Sequence, residues 1–481
     1  MSTEDKVFVE EIVNPDPRLF NQDLSPAKER KWGVFSLFAM WMSDVHSVGG
    51  YTFAAGLFFL GLGAWQVFLA EIIGIMIVFY FANLSGKIGY KNGIPYPVVA
   101  RVGFGVFGSN VPALVRGFLA VFWYGIQTYL ASLAITAILI AVFPGMESLT
   151  QQSFLGLSYL GWIGFMILWG LQLFVIYHGM EIVRRFNDFA GPLVYVLMFG
   201  LVIWLFKEAN WHIDLNISPV DVSGGQAVLA FFTAISLVVA YFSAILLNVC
   251  DFTRFTPDFK TVKKGNFWGL PVNFTLFSLA SVLTTAGAYV VFGEAITDPV
   301  HLVQKIDNTT IMVIGAVGFA IATMGINIVA NLVSPAYDLA NLSPKHITFR
   351  RGAMITAVLS IVVMPWKIFA NPAAVQYFLG GMGAFMAPIF SIMIVDYFMI
   401  KKGKIDVQEL YQYGPEHKYW YQNGFNKKAL VALILGTVIT GPIALLNYFH
   451  TLAPFSWFIG VIVTGIIYWF IARDEKAPEE A

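Results

Sequence analysis

The sequence predicts an all-α polytopic membrane protein, and three observations carry that prediction. Apolar residues make up 58% of the 481 before glycine is counted, against about 45–50% with glycine included in soluble domains. Asp, Glu, Lys and Arg make up only 12%, half the usual quarter, which is too little charge to cover a water-soluble globule of this size. The apolar stretches run unbroken for about twenty residues or more, as a helix crossing a ~30 Å hydrocarbon core requires, and lack the ten-residue alternation of a membrane β-barrel. Twenty-nine basic residues balance twenty-nine acidic ones, so net charge gives no argument for nucleic acid or an acidic partner. The single cysteine, Cys250, excludes an intramolecular disulfide.

Residues 1–31 are charged, contain proline and lack an apolar core, so they read as a cytoplasmic tail and not as a cleaved signal peptide. Hydropathy then places about twelve spans near 33–60, 65–84, 111–143, 156–179, 186–206, 226–250, 268–292, 311–338, 353–371, 376–400, 428–448 and 454–472. With the N-terminus inside, only Lys207, Lys305 and Lys367 fall outside, and the cytoplasmic side collects clusters such as Arg184–Arg185, Lys263–Lys264, Arg350–Arg351 and Lys401–Lys402. This asymmetry predicts both termini in the cytoplasm and an even number of spans. The apolar segment from Tyr96 to Gly108 is too short to cross and reads as interfacial or re-entrant. The transporter domain is expected over 32–472, with a short cytoplasmic tail over 473–481.

Four spans and one isolated acid depart from plain hydrophobicity. The first span holds Ser43, Asp44, His46 and Ser47 beside the helix-weakening pair Gly49–Gly50. Polar side chains next to such a break suit a discontinuous helix with a midplane site, although they also serve simple interhelical packing. In the third span Trp123 and Gln127 lie four apart on one face, where an indole and an amide could stack on a flat ring and bond its edge. The sixth span carries Tyr241 and Phe242 mid-span, and the eighth carries the stripe Asn327, Asn331 and Ser334 ahead of Pro335. Glu71, in the second span, is an isolated acid whose exposure to lipid would cost about 3 kcal/mol, so it is protonated or partnered. No nucleotide loop, metal-ligand spacing or nucleophile elbow occurs, and no polar stretch is long enough for a soluble catalytic domain. The chain is not expected to be an enzyme, and no organic cofactor is expected.

The segments RKWGVFSLFAMWM, FWYGIQT, LLNVCDFTRF, NIVANLVSPAYDLAN, MPWKIF, VDYFMIKKGKI and LYQYGPEHKYWYQNGFN, from Arg30 to Asn426, resemble the bacterial nucleobase–cation symport family 1, in its allantoin, hydantoin and uracil permease branch. The resemblance implies a LeuT-type fold: two inverted five-helix repeats over about 32–206 and 226–400, two further helices over 428–472, and breaks in the first and sixth helices. It implies ring stacking on Trp123 and Phe242, with Tyr241 beside them, and polar contacts from Gln127 and Asn331. The first-helix amide position falls on or beside Ser47, a departure. The family's sodium site would use backbone carbonyls of Ser43, His46 and Ala322, but its two hydroxyl positions here read Gly325 and Ile326. A site so reduced needs Asp44 to compensate the dehydration of sodium. The favoured alternative is a proton carried by Asp44, with His46 or Glu71 assisting.

Together these readings predict a secondary active transporter in a bacterial-type inner membrane. It is expected to act as a monomer, to bind no nucleic acid, and to import a small planar nitrogen heterocycle such as allantoin, hydantoin or a pyrimidine base. An amine or amino-acid symporter of the same fold is the alternative.

Overall fold

The computed structural model describes residues 11–212, 215, 222–294, 296, 298–369 and 372–475, and these form a helical bundle. In chain order its helices are α1 (Val34–Val45), α2 (Val48–Gly56), α3 (Ala64–Asn92), α4 (Tyr96–Phe104), α5 (Asn110–Val142), α6 (Tyr159–Tyr177) and α7 (Met180–Glu208). They continue with α8 (Gly224–Tyr241), α9 (Ser243–Asn248), α10 (Cys250–Thr253), α11 (Phe259–Phe267), α12 (Asn273–Phe292), α13 (Pro299–Gln304) and α14 (Thr309–Ile328). The last six are α15 (Ser334–Leu342), α16 (Phe349–Val362), α17 (Pro365–Phe369), α18 (Pro372–Ile394), α19 (Lys427–Leu445) and α20 (Ser456–Ala472). Among the described residues, ten helical segments are long and apolar enough to cross a bilayer by themselves. The first span is divided between α1 and α2, and the ninth has only the 14 residues of α16 before α17. Their side chains exposed to the surroundings are those of a lipid-facing belt, such as Ile73, Met76 and Tyr80 on α3 or Ile434 and Val438 on α19.

Both expected breaks are present. The first falls at His46 and Ser47, where Ser47 is extended (φ −120°, ψ 162°) and caps α2 through a 2.8 Å bond from the Gly50 N–H to its Oγ. The sixth falls at Phe242, with φ −84° and ψ 0°. That bridge-region conformation is open to any residue, so this break needs neither the glycine nor the proline that the sequence lacks there. The segment after the second span is the nine-residue α4, with every residue buried. At 1.5 Å per residue it covers roughly 14 Å and cannot span; it lies inside protein, not in lipid.

Two prolines are accommodated by local π-helix. Pro271 lies in Trp268–Val272, and Pro335 comes two residues after the end of Val329–Val333. In a π turn the N–H owed to the Ala330 carbonyl belongs to residue 335, a proline without one. The carbonyl is taken instead by Arg116 Nη2 at 2.7 Å.

Close helix approach depends on glycine at many points, and Gly89 is one where the neighbouring atom is backbone. A Cβ there would lie 2.5 Å from the Cys250 Cα, a backbone atom that cannot step aside. Gly89→Val is expected to lower the thermal midpoint of the purified protein, a loss of about 1–3 kcal/mol by overpacking. Gly200→Ala, where a Cβ meets nothing within 4 Å, should leave the midpoint in place.

Candidate substrate and coupling site

The α1–α2 and α8–α9 breaks, α5 and the α14 π segment enclose a cavity of ≈ 50 Å³, room for a few waters. Asp44, Trp123, Gln127, Tyr241, Phe242 and Asn331 line it, with Arg116, Ala120, Ala244, Ile245, Ile326 and Ala330. The structure therefore brings together one carboxylate, two amides and three aromatic rings from four separated stretches of chain.

The polar groups here differ in how far protein already occupies them. Asn327 is spent: its Nδ2 donates to the Tyr124 carbonyl (3.0 Å), Thr128 Oγ1 (2.9 Å) and Gln172 Oε1 (2.7 Å), and its Oδ1 accepts from Asn331 Nδ2 (3.0 Å). Asn331 is thereby oriented, and its Oδ1 has no donor among the described residues. Gln127 is buried with an unpartnered Oε1. Asp44 is 3% exposed and takes no hydrogen bond or ion pair from a described residue. An amide with free oxygen and nitrogen can pair both ways with an –NH–C(=O)– edge, and the Asn331 oxygen can accept a further ring N–H.

The aromatic groups pack against one another and against neighbouring rings. Tyr241 stacks on Phe53 (4.6 Å between centroids, 21° between planes) and meets Trp123 edge-on at 6.2 Å. Phe242 packs edge-on against Phe274 at 5.6 Å. From α18, Phe378 meets the Trp123 ring at 5.6 Å, and Met382 Sδ accepts the Trp123 indole N–H at 2.7 Å.

Other candidate residues lie outside the cavity lining. Ser47 is used as the α2 cap. The His46 ring faces away: Asn273 Nδ2 donates to the carbonyls of Trp41 (3.2 Å) and Gly269 (2.9 Å), which leaves Asn273 Oδ1 to accept from His46 Nε2 at 3.1 Å and from the Tyr195 hydroxyl. His46 Nδ1 then accepts the Tyr51 hydroxyl at 2.6 Å, so the ring is satisfied as neutral imidazole. Glu71 is fully buried on α3, with neither carboxyl oxygen hydrogen-bonded.

Ala322 and Gly325 lie on α14, and Gly325 faces α1 and α7. A Cβ at Gly325 would stand 3.1 Å from Ser43 Oγ and 3.3 Å from Asn187 Oδ1. Both atoms are buried without a partner. The carbonyls of Ser43 and Asp44 also lose their helical donors, because the Ser47 N–H turns to the Val45 carbonyl (3.1 Å) and the Val48 N–H to Thr323 Oγ1 (3.3 Å).

Arg116 and Asn187 were not singled out in the sequence. Arg116 lines the cavity, bonding Asn248 Oδ1 (3.0 Å) and the Ala330 carbonyl and pairing with Asp338 at 3.5 Å. The signal was an arginine within an apolar helix, hidden among the positive-inside charges. Asn187 gave no signal; only the α1–α7–α14 junction identifies it.

A sequence profile described as permeases for cytosine/purines, uracil, thiamine and allantoin matches residues 25–460. An allantoin permease of Bacillus subtilis is 36% identical over 95% of this chain and 94% of its own length. A hydantoin permease of Microbacterium maritypicum is 28% identical over 88% and 84%. Among solved structures, a nucleobase-cation-symport-1 family transporter, closed with bromovinylhydantoin bound, superposes with a TM-score of 0.77 at 24% identity, covering 94% of each chain. A Na⁺-coupled sialic acid symporter superposes at 0.61 with 14% identity. These two likenesses establish the shared fold.

Gly49, on the first turn of α2, governs the Gln127 amide: a Cβ there would stand 2.9 Å from Nε2 and 3.2 Å from Oε1. Gly49→Ala should displace the amide and weaken ligand binding severalfold. It should add nothing further when Gln127 is already alanine, as read by ligand titration of the single and double variants.

Proposed function

From the premise that this chain belongs to the permease family for cytosine/purines, uracil, thiamine and allantoin, we propose that it imports a small, planar, neutral ureide or imide ring in symport with a proton. It is a membrane transporter of nucleobase-like compounds and not an enzyme. The observation that carries the reading is one cavity holding the Gln127 amide, with its Oε1 unpartnered, and the Asn331 amide, held through Nδ2 alone, beside the rings of Trp123 and Phe242. Trp123 and Phe242 take the faces of the heterocycle, and Gln127 and Asn331 take its N–H and carbonyl edge. The allantoin permease relative supports the ureide class; the hydantoin permease relative supports a five-membered imide.

Asp44 carries the proton. Its carboxyl faces the cavity with no ion pair or hydrogen bond from the described residues, and a lone charge at membrane depth costs at least about 2.5–3.5 kcal/mol. Protonation removes that cost while the site is closed. An open cavity lets water stabilise the anion and release the proton. His46, bonded through both ring nitrogens, and Glu71, outside the cavity, have no part in this reading. The orientation that suits the basic residues puts both termini in the cytoplasm of a bacterial-type inner membrane.

A second reading is favoured by one observation, the unpartnered Ser43 Oγ and Asn187 Oδ1 meeting at Gly325. With the freed carbonyls of Ser43 and Asp44 they offer oxygen ligands to a sodium ion.

Uptake of labelled allantoin, hydantoin and uracil into proteoliposomes separates the two. Under proton coupling, accumulation survives replacement of sodium by choline and collapses with the proton gradient. Asp44→Asn then loses concentrative uptake yet retains exchange. Full accumulation by Asp44→Asn, or strict sodium dependence, overturns the proton reading. Trp123→Ala should weaken binding about tenfold, in line with about 1–3 kcal/mol per stacked base. Uptake of amines and of no ring would instead favour the amine symporter.

A further inference from the structure

Outside the transport pathway, α6 and α16 diverge towards the end of the bundle that holds the N-terminal segment and leave a groove of ≈ 300 Å³, lined by Gly170, Leu173, Phe174, Tyr177, Arg350 and Met354 among others. Deeper in, the helices are joined by a 2.9 Å bond from Trp169 Nε1 to the Ala357 carbonyl. The end is identified by Asn21, which bonds the Pro344 and Ile347 carbonyls, and by Asp23, which accepts the Phe349 N–H. We propose that this groove binds one anionic phospholipid of the leaflet on that side. The cytoplasmic identity of the leaflet rests on the orientation given above; the site itself does not.

Two features of the groove point to this occupant. Its walls are apolar and face lipid: Phe174 is 63% exposed, Tyr177 52% and Met354 50%, and no atom lies within 4 Å of where a Gly170 side chain would begin. That open strip suits an acyl chain, and the volume falls in the range of small-ligand pockets. At its mouth stands Arg350, exposed and without an ion pair among the described residues, its guanidinium 4.9 Å from the Tyr177 ring centroid. Stacking uses the face of a guanidinium and leaves its in-plane N–H groups for a bidentate phosphate. The neighbouring bases are otherwise engaged. Arg351 Nη1 donates to the His346 carbonyl (2.7 Å), and His178 Nδ1 donates to the Phe174 carbonyl (2.7 Å). Arg350 is thus the phosphate-reading residue, and an apolar trough ending in a basic residue at the water boundary has the charge and polarity order of an anionic lipid.

The test uses the full-length protein in a neutral detergent, with phosphatidylglycerol, phosphatidylcholine or inorganic phosphate added, followed by thermal midpoint and by native mass spectrometry of retained lipid. Phosphatidylglycerol is expected to raise the midpoint and remain bound, and the other two to do neither. Arg350→Gln should retain about fivefold less lipid, Arg350→Lys an intermediate amount. Gly170→Leu should exclude the chain while Arg350 is intact. Without lipid, an unchanged midpoint for these variants shows that they fold. Equal retention of phosphatidylcholine, a shift reproduced by inorganic phosphate alone, or undiminished phosphatidylglycerol binding by both Arg350→Gln and Gly170→Leu overturns the proposal.

Discussion

The site depends on one constraint: a helix broken at membrane depth has no water to satisfy its freed backbone groups, so protein must supply every partner. At the α1–α2 break this explains otherwise unrelated residues. Ser47 caps Gly50, Thr323 takes the Val48 N–H, and His46 is held by Tyr51 and Asn273 while Asn273 returns bonds to the Trp41 and Gly269 carbonyls. With those partners provided, the α1 terminus is fixed in rotation and Asp44 reaches the cavity. The imidazole two residues on, turned to Tyr51 and Asn273, is therefore scaffold, and the carboxylate is the group left over for chemistry.

The same economy separates the amides. Asn327 and Gln172 saturate each other and the α5 backbone, and Asn331 is held by one bond so that its oxygen remains free. A buried amide with every atom paired is rigid structure; one with an atom unpaired pays for desolvation that only a ligand or water can return. Gln127 and Asn331 belong to the second group, and they are the two that line the cavity with the aromatic rings.

Much of this architecture was legible in the residues. Span length and apolarity give the bundle, Gly49 and Gly50 signal a break that falls just ahead of them at His46 and Ser47, and the spacing of Trp123 and Gln127 puts an indole and an amide on one face. Other features were not legible, because they depend on contacts between helices distant in sequence. Asn187 looks like any polar residue near a helix start until α7 is packed against Ser43 and Gly325. Ser47 caps α2 by accepting the Gly50 N–H, a local role its sequence position does not announce and one that leaves its O–H free to donate. The break at Phe242 leaves no composition signal, since its dihedral angles exclude no residue type. Rotation of the first span beyond its break, which decides whether Asp44 or His46 meets the cavity, is set by Asn273 and Tyr195 on other helices.

The π turn before Pro335 has a consequence for how this gene can vary. One extra residue in that turn sets the phase between the ligand-facing part of α14 and all of α15. Loss of a single codon between Val329 and Val333 would rotate Ser334 and Asp338 by about 100° relative to Asn327, parting them from Asn248 and Arg116. Substitution within the segment is a matter of packing, but its length is under a separate restriction. Drift in this transporter can alter the letters of that turn more readily than their number.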